Sequence, residues 1–160
     1  MKQPIKKNIA KNNTKKSVKP KPKVKRKHPQ YGTSKLEEDF AHNFLDKLGV
    51  KYEYQFEAKD IGRFFDFYLN ESNLLIEIDG DYWHGNRNIY EENELKGFQK
   101  RAQRVDEYKN RWALLHGIPI MRIWEHEIRK TPKEVMKRLK ERLYLIEKGE
   151  DKKRKHRKIL

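Results

Sequence analysis

Apolar positions along the chain fall into two periods. In "GTSKLEEDFAHNFLDKLGVKY" Leu36, Phe40, Phe44, Leu45 and Leu48 recur three and four residues apart. That spacing predicts an amphipathic helix, with Ser34 as its N-cap and Gly49 as its stop. "KYEYQFEA" then alternates as a half-buried strand does. Past a turn at Asp60 and Gly62, "RFFDFYL" and "NLLIEIDG" are two β-rich runs separated by "NES", which fits a hairpin. From Gly80 to about Asn93 no period is visible. The helical period returns in "NELKGFQKRAQRVDEYKNRWALLHG", where Leu95, Phe98, Ala102, Val105, Tyr108, Trp112 and Leu115 fall on one apolar face. Gly117 ends it, and "IPIMRIW" follows as a strand. A last helix is marked in "TPKEVMKRLKERLYLIEKG" by Thr131 as cap, Pro132 at the first helical position and Glu134 closing a capping box. The order is α-β-β-β-α-β-α, an α/β domain with helices packed on a mixed sheet. The helix between the last two strands implies a crossover to a parallel pair.

Charge changes this picture at the two ends. Residues 1–30 hold 12 Lys/Arg and no acid, and residues 150–160 hold 6 Lys/Arg against Glu150 and Asp151. The body, 31–149, has 21 basic and 22 acidic residues, so the excess of the net +15 sits in two tails. The first tail has four of the six prolines and almost no apolar residues. It cannot bury enough surface to offset its chain entropy and reads as a disordered arm. Lys21, Lys23, Lys25, Arg26 and Lys27 in "PKPKVKRK" are its densest basic run, suited to salt-sensitive, sequence-blind contact with nucleic acid. A solubility tail and a nuclear import signal are the other readings of that run. It lacks the apolar face that would bury in a membrane surface, and no run reaches transmembrane length or forms a signal-peptide core. The expected location is the cytoplasm, or the nucleus in a eukaryotic setting. With no cysteine, disulfides and thiolate chemistry are excluded. One domain is the expectation for 160 residues.

The candidate chemistry lies in "LLIEIDGDYWHGN". Alternation puts Glu77 and Asp79 on one face of a strand and Leu74, Ile76 and Ile78 on the other. Asp66, on the neighbouring strand of the hairpin, can stand beside them. Three convergent acids repel one another unless a cation sits among them, and an all-oxygen site suits Mg²⁺, with Mn²⁺ as substitute. Such a site serves phosphodiester hydrolysis, and His84, just beyond the strand, is the candidate proton-transfer group. Each residue also has a plainer reading. Glu77 and Asp79 can be the wet face of an edge strand, Glu37 a capping-box acid, and His84 a surface histidine. Asp106 can pair with Lys109 along its helix, while Tyr82 and Trp83 can be core or lid aromatics.

The stretch "FDFYLNESNLLIEIDGDYWHG" resembles the core of the PD-(D/E)xK nuclease superfamily, with Asp66 at the first acid and Glu77-Ile78-Asp79 in place of the (D/E)-x-K triplet. Asp79 stands where that triplet has lysine. "DYWHG" resembles the branch containing the very short patch repair endonucleases and the EDxHD homing endonucleases of phages. That pattern of helix Glu, strand Asp, variable residue, His and later helix Asp is met by Glu37, Asp66, Ile78, His84 and Asp106, and the likeness spans about residues 33–130. The resemblance implies that Asp66 binds Mg²⁺, with the Ile78 backbone carbonyl as second ligand and Glu77 as a possible third. His84 would be the general base or orient the attacking water, and Glu37 (or Glu38) and Asp106 would hold metal-bound water or position His84. Asp79 is a possible additional active-site acid. Tyr82 and Trp83 stand where aromatics of the repair relatives wedge between base pairs. The expected function is a Mg²⁺-dependent endonuclease acting on double-stranded DNA, most like a free-standing phage homing enzyme. A mismatch-repair nickase, an RNA nuclease and a non-catalytic nucleic-acid binder are the alternatives. The repair branch's Cys/His zinc set is missing, and monomer or homodimer stays open.

Overall fold

The first helix starts where Ser34 Oγ accepts the Glu37 N–H at 3.2 Å. Helix α1 (Lys35–Phe40) runs through a π-helical turn (Ala41–Leu45) into the short α2 (Asp46–Leu48), and Gly49 stops it at φ 66°. This left-handed conformation is one glycine adopts freely. Strands β1 (Glu53–Ala58), β2 (Arg63–Leu69) and β3 (Leu74–Asp79) follow, then α3 (Gly97–Leu115), β4 (Ile120–Trp124), α4 (Glu125–Lys130) and α5 (Pro132–Glu147). The computed structural model describes residues 34–149; the arm 1–30, with its five named basic residues, and the tail 150–160 lie outside the described residues.

The sheet has the order β1-β2-β3-β4, with β1, β2 and β3 antiparallel and β3 parallel to β4. The architecture is a mixed α/β fold with a four-stranded mixed sheet, and the parallel pair is joined across α3. One face of the sheet is apolar throughout: Phe67, Leu69, Leu74, Ile76, Ile78, Met121 and Ile123 pack with Phe40, Phe44 and Leu45 and with Val135 and Leu139 of α5. The other face is apolar at one end alone, where Phe65 and Leu75 meet Trp112 and Ala113 of α3. All six residues of β3 are buried, as expected for a strand covered on both sides.

Three expectations change. The apolar stripe assigned to α3 faces the core only in part: Leu95 and Trp112 are buried, but Phe98, Tyr108 and Leu115 are exposed, and Gln99, Lys109 and Ala113 are buried instead. The helix turns polar side chains inward because the sheet's second face becomes polar beyond Leu75. Thr131 precedes α5, but its hydroxyl donates to the Glu127 carbonyl at 3.2 Å instead of capping the helix. The segment after β4 forms α4, fixed where Glu127 Oε2 accepts the Trp124 N–H at 2.8 Å and both oxygens take Arg138. Among the described residues no helix is long and apolar enough to cross a membrane.

Candidate active site

The site forms where two strands lose their regular sidedness. Phe67 packs on the α1/α5 face and Phe65 on the α3 face, although alternation would put both on one side. On β1, Tyr54 and Phe56 split the same way, and between them Gln55 has φ 54°. A positive φ at a non-glycine residue costs energy and persists only where its surroundings enforce it. Asp66 sits at this break. The β2–β3 pairs run Phe67↔Ile76, Tyr68↔Leu75 and Leu69↔Leu74. Beyond them the Ile78 N–H donates to Asp66 Oδ2 at 2.7 Å, so a carboxylate takes the place of a backbone acceptor. Because a residue in an antiparallel pair directs its N–H and C=O to the same neighbour, the Ile78 carbonyl faces this edge too.

Glu37 is brought toward Asp66 from α1. Its Oε2 accepts from the Tyr54 hydroxyl at 2.6 Å and from Gln55 Nε2 at 3.1 Å, so it is no capping-box acid, and the strained Gln55 is one of its two anchors. Glu38 is exposed. Burial, with Glu77 and Glu37 close by, pushes the Asp66 carboxyl well above the ordinary carboxylate range, against the opposing pull of Lys109 and the Ile78 N–H. Burial raises Glu77 as well, although Lys109 and Arg122 oppose it. Lys109 Nζ lies 2.5 Å from Glu77 Oε1.

The second half of the site centres on Arg122, in parallel register with Glu77. It grips Asp79 with two nitrogens, at 2.7 and 2.6 Å, and reaches Asp106 Oδ1 at 2.7 Å and Asn110 at 3.2 Å. His84 Nδ1 stands 2.7 Å from Asp106 Oδ2 and 3.5 Å from Asp79 Oδ1. Two carboxylates on Nδ1 place the proton there and leave Nε2 as the acceptor in the neutral ring. Burial acts to lower the His84 pKa, but the Asp106 hydrogen bond and the charges of Asp79 and Asp106 outweigh it, and the net shift is upward. Burial opposes ionisation of Asp106, yet His84 and Arg122 prevail and lower its pKa. The pairing of Asp106 with Lys109 is absent; Lys109 turns to Glu77 instead.

The loop that carries His84 is held from two directions. Gln99 Nε2 donates to the Tyr82 carbonyl at 2.6 Å, and Gln103 Nε2 donates to the carbonyls of His84 and Gly85 at 3.3 and 2.9 Å. Gly85 has φ 58°, and a Cβ there would stand 2.6 Å from Leu95 Cδ2 and 3.2 Å from Gln99 Cβ of α3, a place that glycine fills without strain. From the other side, Asp81 Oδ1 and Oδ2 take His126 Nδ1 and N–H at 2.7 and 2.8 Å, and the buried Asn86 donates to Asp81 at 2.6 Å. Trp83 is 64 % exposed at the tip, with Tyr82 and Phe98 packed against it.

The sequence-predicted residues therefore gather into two neighbouring groups. Asp79, His84 and Asp106 are the one set among the described residues whose three donor atoms lie within 4.8 Å of each other, close enough to hold a metal ion. Glu37, Asp66 and Glu77 are spaced more widely. Lys109, Arg122, Gln99, Gln103 and the Asp81–Asn86–His126 clamp were not singled out by sequence. Arg122 had a signal, a charge between Met121 and Ile123 in a buried strand. Comparison with family models, curated proteins and solved structures finds no match to this chain.

Proposed function

We propose that this chain is a divalent-metal-dependent DNA endonuclease with a PD-(D/E)xK-type core, and that Asp66 anchors the metal. The carrying observation is how charge divides. Asp79 and Asp106 face Arg122 and His84, so that group is neutral once the imidazole is protonated. Glu37, Asp66 and Glu77 have Lys109 as the one cation in close contact among the described residues, with Arg122 3.9 Å from Glu77, which leaves the three acids short of positive charge. Mg²⁺ or Mn²⁺ fits this deficit and the oxygen-only donors: the Asp66 carboxylate, the Ile78 carbonyl and the Glu77 carboxylate. Arg122 already occupies the oxygens of the tighter Asp79–His84–Asp106 set, which disfavours a cation there.

A cation bound at Asp66 supplies a Lewis acid for the scissile phosphate. The chain's residues do the rest. Asp106 holds the His84 Nδ1–H so that Nε2 points outward and takes a proton from the attacking water. Arg122 locks Asp106 and Asp79, fixing the ring's orientation. Lys109 stabilises Glu77 in its ionised form. Tyr82, Trp83 and Phe98 offer aromatic faces on which bases can stack. The fit to a phage homing enzyme rests on the motif pattern and on the lack of cysteine for a structural zinc site.

The test is supercoiled plasmid DNA incubated with Mg²⁺, with EDTA, and with Asp66→Asn and His84→Ala variants. Cutting is expected with Mg²⁺ alone, with His84→Ala slower by about 100- to 10,000-fold. Parallel single-stranded DNA and RNA substrates separate DNA from RNA chemistry. Equal turnover in all variants, or degradation of RNA alone, refutes the assignment.

A further inference from the structure

The outer side of α3 holds a second basic feature. Arg101, Arg104, Val105 and Tyr108 line, with Arg63 of β2, a cleft of about 440 Å³. All three arginines are exposed, and among the described residues none pairs with a carboxylate; Arg63 and Arg104 donate to the backbone carbonyls of Gly62 and Lys100, each at 3.3 Å. Arg104 precedes Asp106 by two residues, or about 200° of helix, so the cleft and the candidate active site lie on opposite sides of α3. Three converging guanidiniums repel one another until an anion enters, and their planar forks match phosphate oxygens. No acid lines the cleft, and Tyr108, 48 % exposed, adds a phenol and an aromatic face.

We propose that this cleft takes a backbone phosphate of the same DNA duplex whose scissile bond lies at the Asp66–His84 site. The proposal rests on the endonuclease reading. The cleft stands about one helix diameter, roughly 10–12 Å, from the chemistry. A contact of this kind positions the duplex and carries no sequence information. α3 thereby serves both ends of recognition, with Asp106 and Lys109 turned to the reacting site and Arg101 and Arg104 to a flanking phosphate.

The experiment measures the affinity of the full chain for a short fluorescent duplex in EDTA across a salt series. It compares wild type, the triple variant Arg63→Ala/Arg101→Ala/Arg104→Ala, and an equal-charge control, Lys133→Ala/Lys137→Ala/Lys140→Ala on the exposed side of α5. The arginine triple is expected to flatten the slope of log K against log salt by about 2–3 and to weaken binding at least tenfold, with the α5 triple within about threefold of wild type. Equal losses in both triples would mean that bulk charge does the binding, and no loss in the arginine triple would mean that the cleft is not engaged; either overturns the proposal. Replacing EDTA with Mg²⁺ tests the nuclease reading separately. A wild-type chain that binds through the arginines yet never cuts removes that reading, whereas one that cuts and is indifferent to the arginines removes the cleft.

Discussion

Asp66→Asn separates a metal-binding carboxylate from a structural one without any knowledge of the target sequence. The asparagine oxygen can still accept the Ile78 N–H, which Asp66 accepts at 2.7 Å, so the strand geometry is kept. What goes is a buried negative charge beside Glu77 and Glu37. Relieving an uncompensated buried polar group is worth about 1–3 kcal/mol. For a domain of this size each kcal/mol moves Tm by about 3–5 °C, so the metal-free variant should melt about 3–15 °C higher than wild type. The sign depends on pH. The folded carboxyl titrates above its ordinary value of 3.8, so its contribution to stability is full below that value and is lost as pH rises through the folded pKa. Wild type should therefore approach the variant in Tm at acidic pH and fall behind it toward neutrality.

Magnesium should narrow the gap. At ten times its Kd, a ligand that binds only the folded state adds about 1.4 kcal/mol, or about 4–7 °C. Wild type should show that rise and Asp66→Asn should not. The assay is differential scanning fluorimetry in EDTA and in a Mg²⁺ series, with calorimetry to confirm. A lower metal-free Tm in the variant, together with an undiminished Mg²⁺ shift, would refute the reasoning and point to the Asp79–His84–Asp106 set as the cation site instead.

Three further outcomes follow from the same geometry. Asp79→Ala strips the two-pronged partner from a largely buried guanidinium and should destabilise the fold by about 3–5 kcal/mol, read as a lowered urea midpoint. A general base must be neutral, so kcat should rise with pH through a His84 midpoint above 6.5. Asp106→Asn should move that midpoint downward while cutting kcat by about 100-fold; an unmoved pH profile refutes the positioning role. Asp81→Ala releases the His126 and Asn86 clamp, and stability should fall by about 1–3 kcal/mol at neutral pH. Although burial opposes it, hydrogen bonds from Asn86 and His126 hold the Asp81 carboxyl below its ordinary 3.8. The wild-type advantage should therefore be present above 3.8 and vanish as pH falls through the lower folded value.

The elements were legible because their cores are periodic. Leu36, Phe40 and Phe44 pack where their spacing puts them, and β3 divides Leu74, Ile76 and Ile78 from Glu77 and Asp79 as alternation requires. The face of α3 was legible at Leu95 and Trp112 but not between them, for a physical reason. A helix normally buries its apolar stripe, but this one lies over a strand whose inner face changes from Leu75 to Glu77 to Asp79. The matching helix positions change with it, from Ala113 and Trp112 to Lys109 to Asp106. Hydrophobic periodicity cannot anticipate an interface whose partner is polar, and so it assigned Phe98 and Tyr108 to the inside. The strand break at Gln55 and Asp66 was hidden likewise, because the conformation there depends on Glu37, 18 residues from Gln55 along the chain.

That inversion bears on the proposal that Asp66 anchors a metal. A buried strand gains nothing from five nearby acids unless each has a counterpart, and α3 and β4 together supply two permanent cations, Lys109 and Arg122. Arg122 contacts Asp79 and Asp106 within hydrogen-bond distance, whereas it is 3.9 Å from Glu77, so its charge is committed to the histidine side. Lys109 serves Glu77 and leaves Asp66 to a backbone N–H and to Glu37's company. On the proposed reading, the compensated half holds the imidazole still and the half short of positive charge is the one a divalent cation would complete. An arrangement meant only to stabilise the fold would have no reason to leave Asp66 without a cationic partner of its own.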